Sequence, residues 1–267
     1  LLTSGDLKFY TFPHFGETGL VIHGFTSRAG GVSGGPLAGL NTAFHVGDRA
    51  ENVLANRALA CAALGVDHHR LVAGRQIHGD RIEVVGLREA GRGALSHADA
   101  LPGTDALVTG TPGVPLASFY ADCVPLFLLD PVRKVVALAH AGWKGAVLKI
   151  GLKTMRKMTA AFGSDPADCL GGIGPSIGPC CYEVDGRVME PFRRSFAGFR
   201  ELARATSPGK CHLDLWEANR RTLLEAGLRE KNITVARICT SCRNDLFFSF
   251  RAQGGTAGRM TALIMLK

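Results

Sequence analysis

"YADCVPLFLLDPVRKVVALAHAGWKG", residues 120–145, carries the two apolar runs that decide the fold. Each run, "VPLFLLD" and "KVVALAHAG", reads as a buried strand because it is short, uninterrupted and rich in aliphatic residues. Cys123 stands at the head of the first and His140 near the end of the second. Each has an ordinary explanation alone, since free cysteines are commonly core residues and a strand-end histidine is commonly a satisfied ring. If they converge with a third partner, the chain is an enzyme. Pro125 restricts Val124 to extended geometry, and its missing amide predicts a strand edge or loop rather than a central ladder position.

Upstream, "GLVIHGF" is a strand, followed by "TSRAGGVSGGPLAGLN" (26–41), a loop with five glycines at tight or close-approach positions. "DRAENVLANRALACAALG" (48–65) has helical spacing, with Asp48 as N-cap and Gly65 as stop. "HRLVAGRQIHG" and "DRIEVVG" read as two short strands joined at a turn that exposes His78. "ALVT" (106–109) is another strand.

Downstream, "GAVLKIGLKTMRKMTAAFG" (145–163) reads as one helix with Val147, Leu148, Leu152, Met155 and Met158 on its apolar face. "LGGIGPSIGPCCYEV" is a buried strand ending in a glycine-proline loop, and "LDLWEANRRTLLEAGL" is an amphipathic helix. "ITVARICTSC" and "LFFSFRAQGG" supply late strand-loop elements, with "TALIMLK" as a last strand. Strands and helices mix without a regular βα repeat, which predicts one α+β domain over residues 1–267.

Hydrophobic residues at 46% and charged residues at 20% describe an ordinary globular chain. The opening residues lack the apolar stretch of a secretory signal, and a chain of this size needs no disulfide staples, so its eight cysteines suit a reducing, cytoplasmic setting. No run approaches the length of a membrane span. The net charge of +8 attracts anions without choosing among them. Its densest segment, "FRRSFAGFRELARATSPGK" (192–210), reads as a solvated helix face, and no nucleic-acid-binding signature accompanies it.

His78, Cys123 and His140 together offer two imidazoles and a thiolate, a zinc donor set with a fourth position open. The same trio suits copper. A metal-free alternative makes Cys123 a nucleophile with His140 as its base. Cys180, Cys181 and the "CTSC" pair Cys239 and Cys242 are a second possibility, as zinc ligands, a redox pair or incidental thiols. "GGIGPSIG" fails the GxGxxG spacing. Arg28 in "TSRAGG" lies beside flexible backbone amides, a credible phosphate receptor as well as a turn support.

Ordered blocks along nearly the whole chain add a resemblance. They include "HGFTSRAGGVSGGPLAGLN" (23–41), "QIHG" (76–79), "GTDALVT" (103–109), "ADCVPLFLLDP" (121–131), "AHAGWKG" (139–145), "IGPSIGPCCYEV" (173–184), "LDLWEANR" (213–220) and "GGTAGR" (254–259). With them the chain resembles the YfiH/laccase-domain family of purine-nucleoside-metabolising enzymes, once labelled multicopper polyphenol oxidases. The departures are mild: Lys144 stands where arginine is frequent, Ile77 where valine is, and "CTSC" lacks the usual aromatic residue.

The resemblance implies a β-sandwich-like core flanked by helices, homodimers, and His78, Cys123 and His140 as the metal ligands. It also implies phosphorolysis of adenosine, inosine or methylthioadenosine, and deamination of adenosine. Asp122 is then a proton-transfer candidate, and Arg28 or Lys144 holds inorganic phosphate. The alternatives are a copper-dependent polyphenol oxidase and a noncatalytic zinc protein. A blue multicopper oxidase needs many copper ligands, typically in HxH pairs, and these nine histidines form none.

Overall fold

The structure, a computed structural model, describes residues 1–267. The two apolar runs form strands Val124–Asp130 and Val135–Ala141, paired antiparallel from Val124 opposite Ala141 to Asp130 opposite Val135. They occupy the centre of a six-stranded sheet ordered Ile233–Val235, Leu170–Ile173, Val124–Asp130, Val135–Ala141, Ala106–Thr109 and Ile82–Val84. A second six-stranded sheet runs Leu2–Ser4, Leu7–Tyr10, Val21–Thr26, Met260–Leu266, Leu116–Tyr120 and Val72–Ala73. A three-stranded sheet, Glu183–Asp185, Lys210–Leu213 and Ala203–Ser207, lies beside them.

Burial on both faces explains why the central runs do not alternate with polar residues. Phe127, Leu129, Val136 and Leu138 pack between the two large sheets with Phe25, Leu116, Tyr120 and Ile264. Their neighbours Leu126, Leu128, Ala137 and Ala139 face the other way, toward Ile150, Met155 and Met158 of helix Ile150–Phe162 and Trp216 and Leu223 of helix Leu215–Glu225. Helix Ala50–Ala63 covers the outer face of the second sheet through contacts such as Cys61 near Ala117 and Leu263. The result is a stack of helix, sheet, sheet and helix, an α+β sandwich-like core. No helix is long and apolar enough to cross a membrane.

Four connections cross between the large sheets, at residues 74–81, 110–115, 121–123 and 236–259. Residues 74–81 leave Val72–Ala73 in one and enter Ile82–Val84 in the other; residues 121–123 do the same between Leu116–Tyr120 and Val124–Asp130. The two short strands around His78 therefore belong to different sheets, and the turn between them is a bridge across the sandwich. The outermost strands of the two large sheets are short, two or three residues each.

Several local expectations give way to packing. Pro125 lies in a central strand, opposite His140. The His140 amide donates to Asp105 on the far side, so this pair exchanges no ladder bonds. Pro125 instead faces Gly174, whose amide donates to the Pro125 carbonyl and whose absent Cβ leaves room for the ring. The expected long helix breaks into Trp143–Val147 and Ile150–Phe162 at Lys149, which takes a left-handed backbone (φ 55°) and pairs with Glu225. Beyond the break, Gly151 approaches Thr222 and Leu223 more closely than a Cβ would comfortably allow.

"LFFSFRAQGG" forms turns rather than a strand, because Phe247 and Phe248 serve as fully buried plugs. The arginine-rich segment divides among helix Gly186–Ser195, the turn of helix Phe199–Leu202 and strand Ala203–Ser207. Asp48 precedes the helix cap, Arg49, and gathers Ser33, Asn41 and Asn52 around its carboxylate.

Truncation should be costly in the sandwich and cheap at its edge. Phe127→Ala removes a fully buried ring that meets Phe12 edge-on at 5.3 Å, and is expected to lose about 3–5 kcal/mol of stability in denaturant titration. Leu2→Ala, on an exposed edge strand, should stay within about 0.5 kcal/mol.

Candidate active site

The crossings at residues 74–81, 121–123 and 236–259 and the end of strand Val135–Ala141 meet at one cavity of about 420 Å³, a size suited to a small organic ligand. His140 faces the inter-sheet side because it shares the period of Val136 and Leu138. Its ring lies 5.3 Å from the Tyr120 ring and 4.8 Å from that of His78. His78 Nε2 is 3.8 Å from Cys123 Sγ, and the potential ligand atoms of His78, Cys123 and His140 all lie within 4.8 Å of one another. The structure thus brings together three residues widely separated in sequence.

Asp105, which the sequence reading did not single out, organises this arrangement. It is 2% exposed. Its carboxylate accepts from the backbone amides of Ile77, His78 and Gly79 at 3.1, 3.0 and 2.8 Å, and lies 2.9 Å from His140 Nδ1. With Nδ1–H donated to Asp105, His140 directs Nε2 toward the other donors. The amide bonds hold His78 in its left-handed conformation, φ 61°. Burial alone would raise the Asp105 pKa, but the His140 bond and charge and the surrounding amides lower it.

Electrostatics favours a thiolate at Cys123. Burial pushes its thiol up, yet the His140 charge and hydrogen bonds from both histidines outweigh this and bring it down to about 6. Burial likewise works against the His140 imidazolium, but the Cys123 thiolate and Asp105 raise it to about 9. A thiolate is the form that ligates metal. Space for an ion is also preserved: a Cβ at Gly142 would sit 2.8 Å from the His78 ring and 3.0 Å from Cys123 Sγ. Two imidazoles, a thiolate, a fixed histidine and this glycine cradle fit a three-coordinate protein site with one open position.

Asp122 also faces the cavity, with φ 81°. Thr240 Oγ1 donates to its Oδ1 at 2.7 Å and the Arg251 amide to its Oδ2 at 2.7 Å. These bonds anchor the turn that presents Cys123; the carboxylate orienting His140 is Asp105. Arg28 is placed elsewhere, donating to the carbonyls of Asn244 and Ala38 beneath the Phe248 ring. It braces the glycine-rich loop and does not line the cavity. Lys144 lines an adjoining cleft that shares His78, Tyr182 and Arg251 with the cavity.

The cavity's own cations are Arg259 and Arg251, and its walls include Phe119, Tyr182 and Phe250. His45 sits among them, held neutral down to about 4 by burial and by nearby Arg259. Arg259 is the arginine of "GGTAGR", a block that signalled resemblance without a stated role. No local pattern marks Asp105: "TDALVT" reads as the start of a strand, and a carboxylate there is ordinarily solvated.

Residues 22–267 match the family model described as multi-copper polyphenol oxidoreductase laccase. The chain is 41% identical to purine nucleoside phosphorylase YlmD of Bacillus subtilis over 92% of this chain and 89% of that protein. It is 35% identical to adenosine deaminase RL5 from an unknown prokaryotic organism, over 89% and 91% respectively. The crystal structure of the Bacillus licheniformis hypothetical protein YfiH superposes with a TM-score of 0.94 at 37% identity, covering 99% of this chain and all of that one (100%). YlmD from Geobacillus stearothermophilus superposes at 0.90 with 42% identity and 92% coverage of both chains. Sequence and fold agree across almost the full length of these relatives, and the chain belongs to the YfiH/laccase-domain family.

Proposed function

We propose that this chain is a zinc-dependent purine nucleoside phosphorylase acting on adenosine, inosine and methylthioadenosine, and that it also deaminates adenosine to inosine. The observation that carries the reading is the convergence of His78, Cys123 and His140 on a cavity that also presents Arg259. The purine nucleoside phosphorylase and adenosine deaminase names of its relatives give that geometry a substrate class. The reading includes a homodimer, as the family resemblance implies, in the cytoplasmic setting that the cysteine content suits.

His78, Cys123 and His140 would hold the ion, which supplies Lewis acidity and makes water a nucleophile near neutral pH. Asp105 keeps His140 in one tautomer and aims its free nitrogen inward. Phe119, Tyr182 and Phe250 give a planar base apolar and aromatic surface to lie against. Arg259, backed by Phe250, holds phosphate and stabilises the charge that develops as phosphate approaches the ribose and the base departs. Asp122, fixed beside Cys123 by Thr240 and Arg251, retains acceptor capacity on both oxygens and moves a proton during departure of ammonia.

The deciding experiment incubates the protein with each nucleoside, with and without phosphate, and resolves products by liquid chromatography and mass spectrometry. Base with ribose-1-phosphate is expected when phosphate is present, and inosine from adenosine without it. Methylthioadenosine should give adenine and the corresponding methylthioribose-1-phosphate. No nucleoside turnover by metal-loaded protein, with oxygen uptake on phenols under copper, would establish the oxidase reading instead.

Arg259→Ala should lower phosphorolysis about 10–100-fold, the loss of a charge-assisted contact, with a smaller effect on deamination. Arg28→Ala, acting through the loop it braces, should affect both reactions alike. The two are compared by base release against phosphate concentration and by ammonia release without phosphate.

Asp105→Asn should weaken zinc binding at this site by about 10–100-fold through loss of histidine orientation. Cys123→Ser should weaken it further, because it removes a donor outright. Titration against a competing chelator measures both.

A further inference from the structure

We infer that Cys180, Cys181, Cys239 and Cys242 form a second zinc site, structural and separate from the His78, Cys123 and His140 site. Their four sulfurs all lie within 4.8 Å of one another. Cys242 Sγ is 3.4 Å from the sulfurs of both Cys180 and Cys181. A tetrahedron of sulfurs around one ion, with bonds of about 2.3 Å, has edges of about 3.8 Å. The cluster is close to that arrangement, and all four cysteines are free rather than joined as disulfides.

The surrounding backbone fits a metal thiolate. Cys239 Sγ accepts from the Gly178 amide at 3.2 Å and the Cys242 amide at 3.5 Å. Two N–H groups, one from each loop, thus point at one sulfur and favour its anionic form. Gly178 permits the approach, since a Cβ there would lie 2.6 Å from Trp216 and 3.2 Å from Cys180 Sγ. Cys180 and Cys242 are exposed, giving an ion an entry path, while Cys239 is buried. All-sulfur tetrahedral donors with no open protein position suit a structural zinc ion.

The ion's place in the fold gives it a task. Cys180 and Cys181 lie on the loop between strands Leu170–Ile173 and Glu183–Asp185; Cys239 and Cys242 follow strand Ile233–Val235. The loops already meet at a bridge between Ser176 and Cys239. Ile177 and Tyr182 of the first wall the nucleoside cavity, and Thr240 of the second anchors Asp122. A zinc ion here clamps the two supports of that wall together without touching the ligand. The inference rests on the cysteine geometry and is independent of the nucleoside reading.

The test uses full-length protein purified and loaded with zinc under reducing conditions, with excess metal removed by dialysis. His78→Ala combined with Cys123→Ser leaves the four cysteines intact. This variant should retain one zinc per chain, with X-ray absorption showing four sulfur ligands at about 2.3 Å. Wild type should hold two zinc ions, and Cys239→Ser combined with Cys242→Ser should lose one while lowering the melting temperature. If either double variant does not fold, the wild-type zinc count and its sulfur-rich absorption spectrum still decide the matter. Less than one zinc per chain in the first variant, a shell dominated by nitrogen and oxygen there, a wild-type spectrum lacking an all-sulfur zinc, or recovery of the four cysteines as disulfides would overturn the site.

Discussion

The carboxylate of Asp105 takes three backbone amides from one connection and faces the ring nitrogen of His140 on a neighbouring strand. Burying an anion is expensive unless its acceptor positions are filled, and here they are filled by groups that must themselves be positioned. The arrangement holds residues 77–79 against strand Val135–Ala141 and fixes both histidines. Without Asp105, His78 would keep the freedom of an exposed turn residue, and His140 would lose the partner that selects its tautomer.

The chemistry lies where chain segments change sheets. Residues within the sandwich are committed to apolar packing on both sides, whereas each crossing frees a few backbone groups from the ladders. His78 and Asp122 both use left-handed backbone there, with φ 61° and 81°. Neither has glycine's tolerance for that conformation, so the surrounding hydrogen bonds must hold it. A rigid scaffold carrying short, conformationally constrained connections is a common way to place functional groups accurately.

The main strands could be read from the sequence because burial writes itself into local composition. Val124–Asp130 and Val135–Ala141 announced themselves as apolar runs, and the metal donors stood at their polar ends. Pro125 reads as an edge residue because its sequence does not show that this end of the central strand faces Gly174 rather than a continued ladder. Lys149 carried no breaker signal, since its left-handed turn follows from tertiary packing around Gly151. The meeting of Cys180 and Cys181 with Cys239 and Cys242 depends on two loops docking, which spacing along the chain does not record. Glycines in "GGIGPSIG" that looked like a defective nucleotide loop serve close packing: Gly172 against Phe12, Gly174 against Pro125 and Gly178 against Trp216.

The short outer strands matter beyond the architecture they terminate. Leu2–Ser4, Val72–Ala73, Ile82–Val84 and Ile233–Val235 end the two large sheets with two or three residues each. An incoming strand would find too few unpaired amides and carbonyls for an extended ladder. Association with another chain by sheet extension is thereby discouraged, and the apolar central strands are kept away from fibril-like stacking. The molecule can keep a very hydrophobic interior because the hydrogen-bonding borders of its two large sheets offer intruders so little to grip.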